Sequence, residues 1–197
     1  GAGAAFAMIP PNLGAPDVRA FQRRVSAALC SCLAAARVQH VVTLSSIGAD
    51  LADGTGPIAG LHEMETKLDR LDRAAVVHLR PGFFMENHLN SIGLIKGQGI
   101  NGSSMRGDMP VAMIATQDIA AVAADLLFAP SFEGKSVREL QGPREYTMVE
   151  VTRVLGAAIG RPDLPYVQFP YEATRETLIA MGMSESMADG YVEMARA

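Results

Sequence analysis

Arg80-Pro81-Gly82-Phe83-Phe84-Met85-Glu86-Asn87 is the stretch on which the fold turns. It follows the apolar run 74–79. A buried strand that stops at Pro-Gly and then presents two aromatics, a carboxylate and an amide reads as the ligand-facing edge of an α/β sheet. Upstream, residues 58–71 have helical spacing and carry His62 and Glu65, behind a loop predicted over 48–56. Before that loop, His40-Val41-Val42-Thr43-Leu44-Ser45-Ser46 is β-branched in its middle and polar at its end, which makes it a second buried parallel strand. Val18, Phe21, Val25, Leu29 and Leu33 follow one another at three and four residues, predicting a helix over 17–37. The first apolar run, 4–9, is stopped by Pro10-Pro11-Asn12, because proline has no N–H to give to a sheet ladder. The order β, α, β, α, β predicts an α/β fold: a parallel sheet with helices on both faces.

Downstream the pattern predicts a helix to about residue 96, a Gly-, Ser- and Asn-rich loop over 97–107 and a strand over 111–115. Thr116 places a hydroxyl at the start of an alanine-rich helix reaching Phe128, with Asp118 in its first turn, where the exposed amides favour negative charge. A strand over 135–140 returns to the sheet. Thr147-Met148-Val149-Glu150 has capping-box spacing and opens a helix to Ile159 that Gly160 and Pro162 end. A short strand over 166–169 and two helices, 171–181 and one capped by Ser184, complete the chain. The expected division is 1–141 for the sheet domain and 142–197 for a small C-terminal α+β lid over the crevice. Met181, Met183, Met187 and Met194 in the lid are either ordinary core or the lining of a pocket suited to flat aromatic substrates.

The chain has 197 residues, 49% of them hydrophobic and 19% charged, enough for one compact domain with a substantial core. A formal net charge of -4 with scattered Lys and Arg argues against nucleic acid as a partner. No apolar run approaches the roughly 20 residues that span a bilayer, and no basic segment with a cleavage site opens the chain. A cytoplasmic protein, monomer or homodimer, without membrane contact is expected. Cys30 and Cys32 point to different faces of one helix, suit neither a disulfide nor a metal clip, and read as reduced packing residues. No metal site is expected.

Several polar residues sit where chemistry is done. His62 and Glu65 are one helical turn apart and share a face, while Lys67 points elsewhere. A histidine beside a carboxylate can give a proton to a carbonyl or quinone oxygen, and a surface His-Glu pair is the competing reading. Ser45 and Ser46 end a strand, where a hydroxyl touches a ribose or a substrate carbonyl, or merely satisfies the strand end. Phe83 and Phe84 either plug the core or line a pocket. Glu86 and Asn87 after them need partners that a cofactor carboxamide or a substrate can supply, with helix capping as the other role for Asn87. His40 and His78 read as structural, and His88 can face the cleft.

Four segments in this order, Ile9-Pro10-Pro11-Asn12, Thr43-Leu44-Ser45-Ser46-Ile47-Gly48-Ala49, Leu79 through Asn87, and Ile114-Ala115-Thr116-Gln117-Asp118-Ile119-Ala120, resemble the NmrA-like branch of the atypical short-chain dehydrogenases. Leu140-Gln141-Gly142-Pro143 and the capped helix at Thr147 are similar to it too, so the likeness runs over nearly the whole chain. It implies a Rossmann-like domain that takes NAD(P)H, with NADP favoured over NAD. It further implies that Ile9, Pro10, Pro11 and Asn12 border the ribose and nicotinamide, that Ser45 lies near them, and that Pro81, Gly82, Phe83 and Phe84 line the nicotinamide pocket. Phe84, Glu86 and Asn87 fall on the substrate side, and the helix bearing His62 lies beside the nicotinamide. The residues depart from the pattern in two places. No G-x-G-x-x-G or G-x-x-G-x-x-G precedes a helix, and Gly1-Ala2-Gly3 leads into a strand rather than out of one. By the resemblance, 4–12 match the fourth strand of the family fold, so the expected natural protein is longer, with the glycine-rich third upstream. The Tyr-x-x-x-Lys pair of ordinary short-chain dehydrogenases is also absent. The implied function is NAD(P)H-dependent reduction of small aromatic acceptors, quinone or azo in type. A dinucleotide-binding redox sensor without turnover is the alternative, and a sugar-nucleotide or isoflavone-type reductase ranks lower.

Overall fold

The computed structural model describes residues 2–197; Gly1, the first residue of the Gly1-Ala2-Gly3 stretch, lies outside them. In chain order the first elements are β1 (Ala4–Ala7), α1 (Val18–Ala35), β2 (His40–Leu44), a 3₁₀ turn (Gly56–Ile58), α2 (Ala59–Leu68), β3 (Ala75–Pro81) and β4 (Phe83–Phe84). A 3₁₀ segment (Met85–Ser91), α3 (Ile92–Gln98), β5 (Asn101–Ser103), β6 (Val111–Ile114) and α4 (Thr116–Phe128) follow. The chain continues with β7 (Lys135–Leu140), β8 (Glu145–Tyr146), α5 (Met148–Ala158), β9 (Tyr166–Gln168), α6 (Tyr171–Ala180) and α7 (Glu185–Arg196).

β1, β2, β3 and β7 form one parallel sheet in that order, and the fold is α/β with a Rossmann-like arrangement. Alternation along each strand explains why helices cover both faces. Val41 and Val76 point to one side, where they pack with Leu33 of α1 and with Met64 and Leu68 of α2. Their neighbours Val42 and Val77 point to the other, against Ile119 and Ala123 of α4. The outer edge of β1 has no strand beside it among the described residues, and Phe6 there is 44% exposed. Lys135 fastens β7 to the connection between α2 and β3 by donating to the Leu71 and Ala74 carbonyls at 2.8 and 2.6 Å, and burial pushes its pKa down. His78 is buried inside β3, with Nδ1 at 2.8 Å from Thr43 Oγ1 and Nε2 at 3.0 Å from Asp69 Oδ1, a packed and bonded position.

Four local expectations are corrected. The first strand ends at Ala7 rather than Ile9, ahead of the prolines. The third runs on through Pro81, which is tolerated because it is the last residue and only its carbonyl is used, accepting from the Ile47 amide at 3.1 Å. The segment expected as loop over 97–107 contains β5, which pairs in parallel with β9; three residues with two glycine-rich flanks carry too little periodicity to read as a strand. Cys32 is exposed rather than packed, whereas Cys30 is half-buried with its thiol pushed up by burial.

Candidate active site

The register of the sheet brings the strand ends level. Ala7 pairs with Thr43 and Thr43 with His78, so the residues after β1, β2 and β3 emerge along one edge, the carboxyl edge where open α/β sheets bind ligands. After β1, Ile9 turns inward and packs in the core, while Pro10, Pro11 and Asn12 stay exposed. After β2, Ser45 is 4% exposed and its hydroxyl has no hydrogen-bond partner. A buried orphan hydroxyl costs free energy unless something bonds it.

At the end of β3, Pro81 is buried, and Gly82 just after it lies against β6, where a Cβ would stand 2.4 Å from the Ala112 carbonyl oxygen. That approach lets Phe83 and Phe84 pair with Met113 and Ile114. Phe84 packs into the α4-side core, and Phe83 faces the His88 ring at 5.3 Å between centroids. Burial lowers the pKa of His88, and its Nε2 has no partner.

The expected His62-Glu65 pair is not formed. Three residues along a helix separate side chains by about 60°, and here that difference sends them to different neighbours. Glu65 is 5% exposed and takes Arg80 in a fork, Nε to Oε1 at 3.0 Å and Nη2 to Oε2 at 2.6 Å. Donating to the Glu65 carboxylate pushes the Arg80 pKa above its ordinary value. Both carboxylate oxygens are thereby committed to tying α2 to β3. His62 reaches back instead, placing Nδ1 at 2.9 Å from the Ala49 carbonyl. A carbonyl only accepts, so Nδ1 carries a hydrogen and Nε2 holds the lone pair of the neutral ring.

Glu86 is likewise engaged elsewhere than expected. Its carboxylate accepts the Thr116 amide at 2.9 Å and the Thr116 hydroxyl at 2.7 Å, capping α4 from a distance, and these bonds hold its pKa below the usual value. Thr116 is therefore the first helical residue and not the cap. Asn87 caps nothing; it is exposed within the 3₁₀ segment. Because the folded pKa of Glu86 is depressed, its contribution to α4 is present above the ordinary carboxylate value and is lost as pH falls through the lowered one. Glu86→Gln should speed amide exchange at residues 116–119 at neutral pH, after correction for intrinsic rates. Unchanged protection there would refute the capping role.

The methionines do not gather into a pocket: Met181 is 79% exposed and Met187 is buried between helices. Among the described residues, one depression of about 540 Å³ runs along α6 and α7 past Glu172, Arg175 and Asp189, and another of about 300 Å³ lies by Arg161. Neither includes Asn12, Ser45 or Phe83. Arg80 was the residue the sequence reading passed over, although a charge at the end of a buried strand signals that a partner lies close by.

No family model matches the chain. Among curated proteins it is 33% identical to an NAD(P)H azoreductase of Xenophilus azovorans over 175 residues, 88% of this chain and 59% of that protein. It is 32% identical to a (4-alkanoyl-5-oxo-2,5-dihydrofuran-3-yl)methyl phosphate reductase of Streptomyces griseus over 152 residues, 77% of this chain and 53% of that one. The chain thus spans between half and two thirds of the length of these relatives. In structure it is similar to an NADPH-dependent quinone oxidoreductase of Escherichia coli solved with NADPH, at a TM-score of 0.78 and 23% identity, covering 98% of this chain and 64% of that one. A triphenylmethane reductase of Citrobacter sp. solved with NADP(H) gives a TM-score of 0.79 at 16% identity, covering 99% and 66%. At such identities the structural likeness speaks for the fold. Among the described residues, no helix is long and apolar enough to cross a membrane.

Proposed function

We propose that this chain is of the NmrA-like type and supplies the nicotinamide- and acceptor-facing side of an NAD(P)H-dependent reductase of small aromatic acceptors, quinone or azo compounds. The observation that carries the reading is the level carboxyl edge of β1, β2 and β3, with the buried, unpartnered Ser45 hydroxyl on it. The 33% identity to an azoreductase supports the acceptor class. Pro10, Pro11, Asn12 and Ser45 are assigned to the ribose and nicotinamide, Pro81 to Phe84 to the nicotinamide wall, and Phe84 with Asn87 to the acceptor. Glu86 and Glu65 drop out of direct contact, because their carboxylates hold Thr116 and Arg80.

A bound reduced nicotinamide supplies a hydride. The acceptor also needs a proton, and in this reading His62 delivers it from Nε2. The donor is the imidazolium; losing the Nε2 proton leaves the neutral ring with its Nδ1–H still bonded to the Ala49 carbonyl. NADP is favoured over NAD, in keeping with the NADPH-bound structures of similar fold.

The test is consumption of NADPH by full-length protein with a panel of quinones and azo dyes. Turnover with at least one member is expected. Tight NADPH binding with no turnover on any acceptor would instead favour the redox-sensor reading, which the commitment of Glu65 to Arg80 keeps in view.

A further inference from the structure

Helix α7 offers no reacting atom to the edge described above, yet it touches two of the loops that form it. Its cap residue Ser184 donates its amide to the Leu13 carbonyl at 2.8 Å, next to Asn12. Ser186 accepts the Val18 amide at 3.0 Å, at the start of α1. One turn on, Gly190 meets the 3₁₀ turn that leads into α2 and His62. A Cβ on Gly56 would stand 2.0 Å from the Gly190 carbonyl oxygen, and one on Gly190 would stand 3.1 Å from Pro57 Cδ. Gly56 also has φ +55, a left-handed conformation that strains a residue with a side chain and adds to the steric demand for glycine. The Pro57 carbonyl in turn accepts Gln22 Nε2 from α1 at 2.8 Å. Met187, Ala188 and Val192 are buried behind this joint, which leaves α7 little room to slide.

We infer that α7 is a brace for the active site. By gripping Leu13 and the Gly56-Pro57 turn at once, it sets the separation between Asn12 and His62, and Ser186 and Gly190 act as positioning residues for the reduction. The inference rests on the function proposed above. It matters because a displacement of the order of 1 Å between reacting partners can cost about a hundredfold in rate. A helix that merely filled space would affect stability without separating turnover from cofactor binding.

The experiment compares full-length wild type with Ser186→Ala, Ser186→Thr and Gly190→Ala, reading kcat with a quinone, the Kd for NADPH and hydrogen exchange. For Ser186→Ala, kcat should fall about tenfold while the Kd for NADPH moves less than about twofold. Ser186→Thr keeps the hydroxyl and should restore kcat. Exchange over residues 13–18 and 54–62 should quicken together in Ser186→Ala and Gly190→Ala. An unchanged kcat in folded Ser186→Ala, or faster exchange confined to one of the two segments, overturns the brace. Wild type that turns over no acceptor sinks the functional reading alone, and the paired exchange still decides whether α7 couples the two loops.

Discussion

Glu65→Leu is expected to lower the free energy of unfolding by about 3 kcal/mol, at the low end of the range for breaking a buried ion pair by removing one partner. The substitution leaves the Arg80 guanidinium, whose side chain is only 14% exposed, without its fork of acceptors. The lower figure is chosen because Asp50 and Glu139 remain close enough to act on the same charge. The pair's gross attraction is largely spent against the desolvation of both ions. For that reason the double variant Glu65→Leu/Arg80→Met should recover most of the loss, through apolar packing against Met64 and the sheet. Urea denaturation of the two singles and the double gives the cycle. A Glu65→Leu protein as stable as wild type would mean that the pair is solvated and its partners independent. The same pair fixes the rotation of α2, so its loss should also disturb the helix that carries His62.

His62→Gln should reduce kcat for acceptor reduction by about a hundredfold, the low end of what a positioned proton donor contributes. Glutamine is near enough in size to keep a hydrogen bond to the Ala49 carbonyl, so the substitution removes the proton supply more than the anchor. Full wild-type activity in His62→Gln would assign the proton to water or to another group. His88 is the nearest alternative in kind, since it is the other histidine near this edge and its buried Nε2 is unpartnered.

The main sheet was legible in the sequence because its two central strands, β2 and β3, are covered on both faces and therefore read as continuous β-branched or apolar runs ending at polar breaks. Val41-Val42 and Val76-Val77 are the clearest cases. The capping box at Thr147 was legible for a similar reason: both its bonds lie within four residues, and both are formed. What escaped depends on partners distant in sequence. Glu86 caps a helix thirty residues on, and Glu65 answers Arg80 across a helix and a strand, so the local pattern held only half of each pair. The contact of Gly190 with Gly56 left no periodic trace, because glycine marks a close approach without saying to what.

The register of the sheet has a kinetic consequence. Each rung joins residues remote along the chain, Phe6 with Val42 and Val77 with Ser136, so no ladder can zip from a hairpin, and a long segment must close before any rung rewards it. Refolding from denaturant should accordingly be slow beside that of a helical bundle of equal size. During the delay strands that have not yet paired stay open to those of other molecules, which makes dilute, cool refolding the condition that favours recovery.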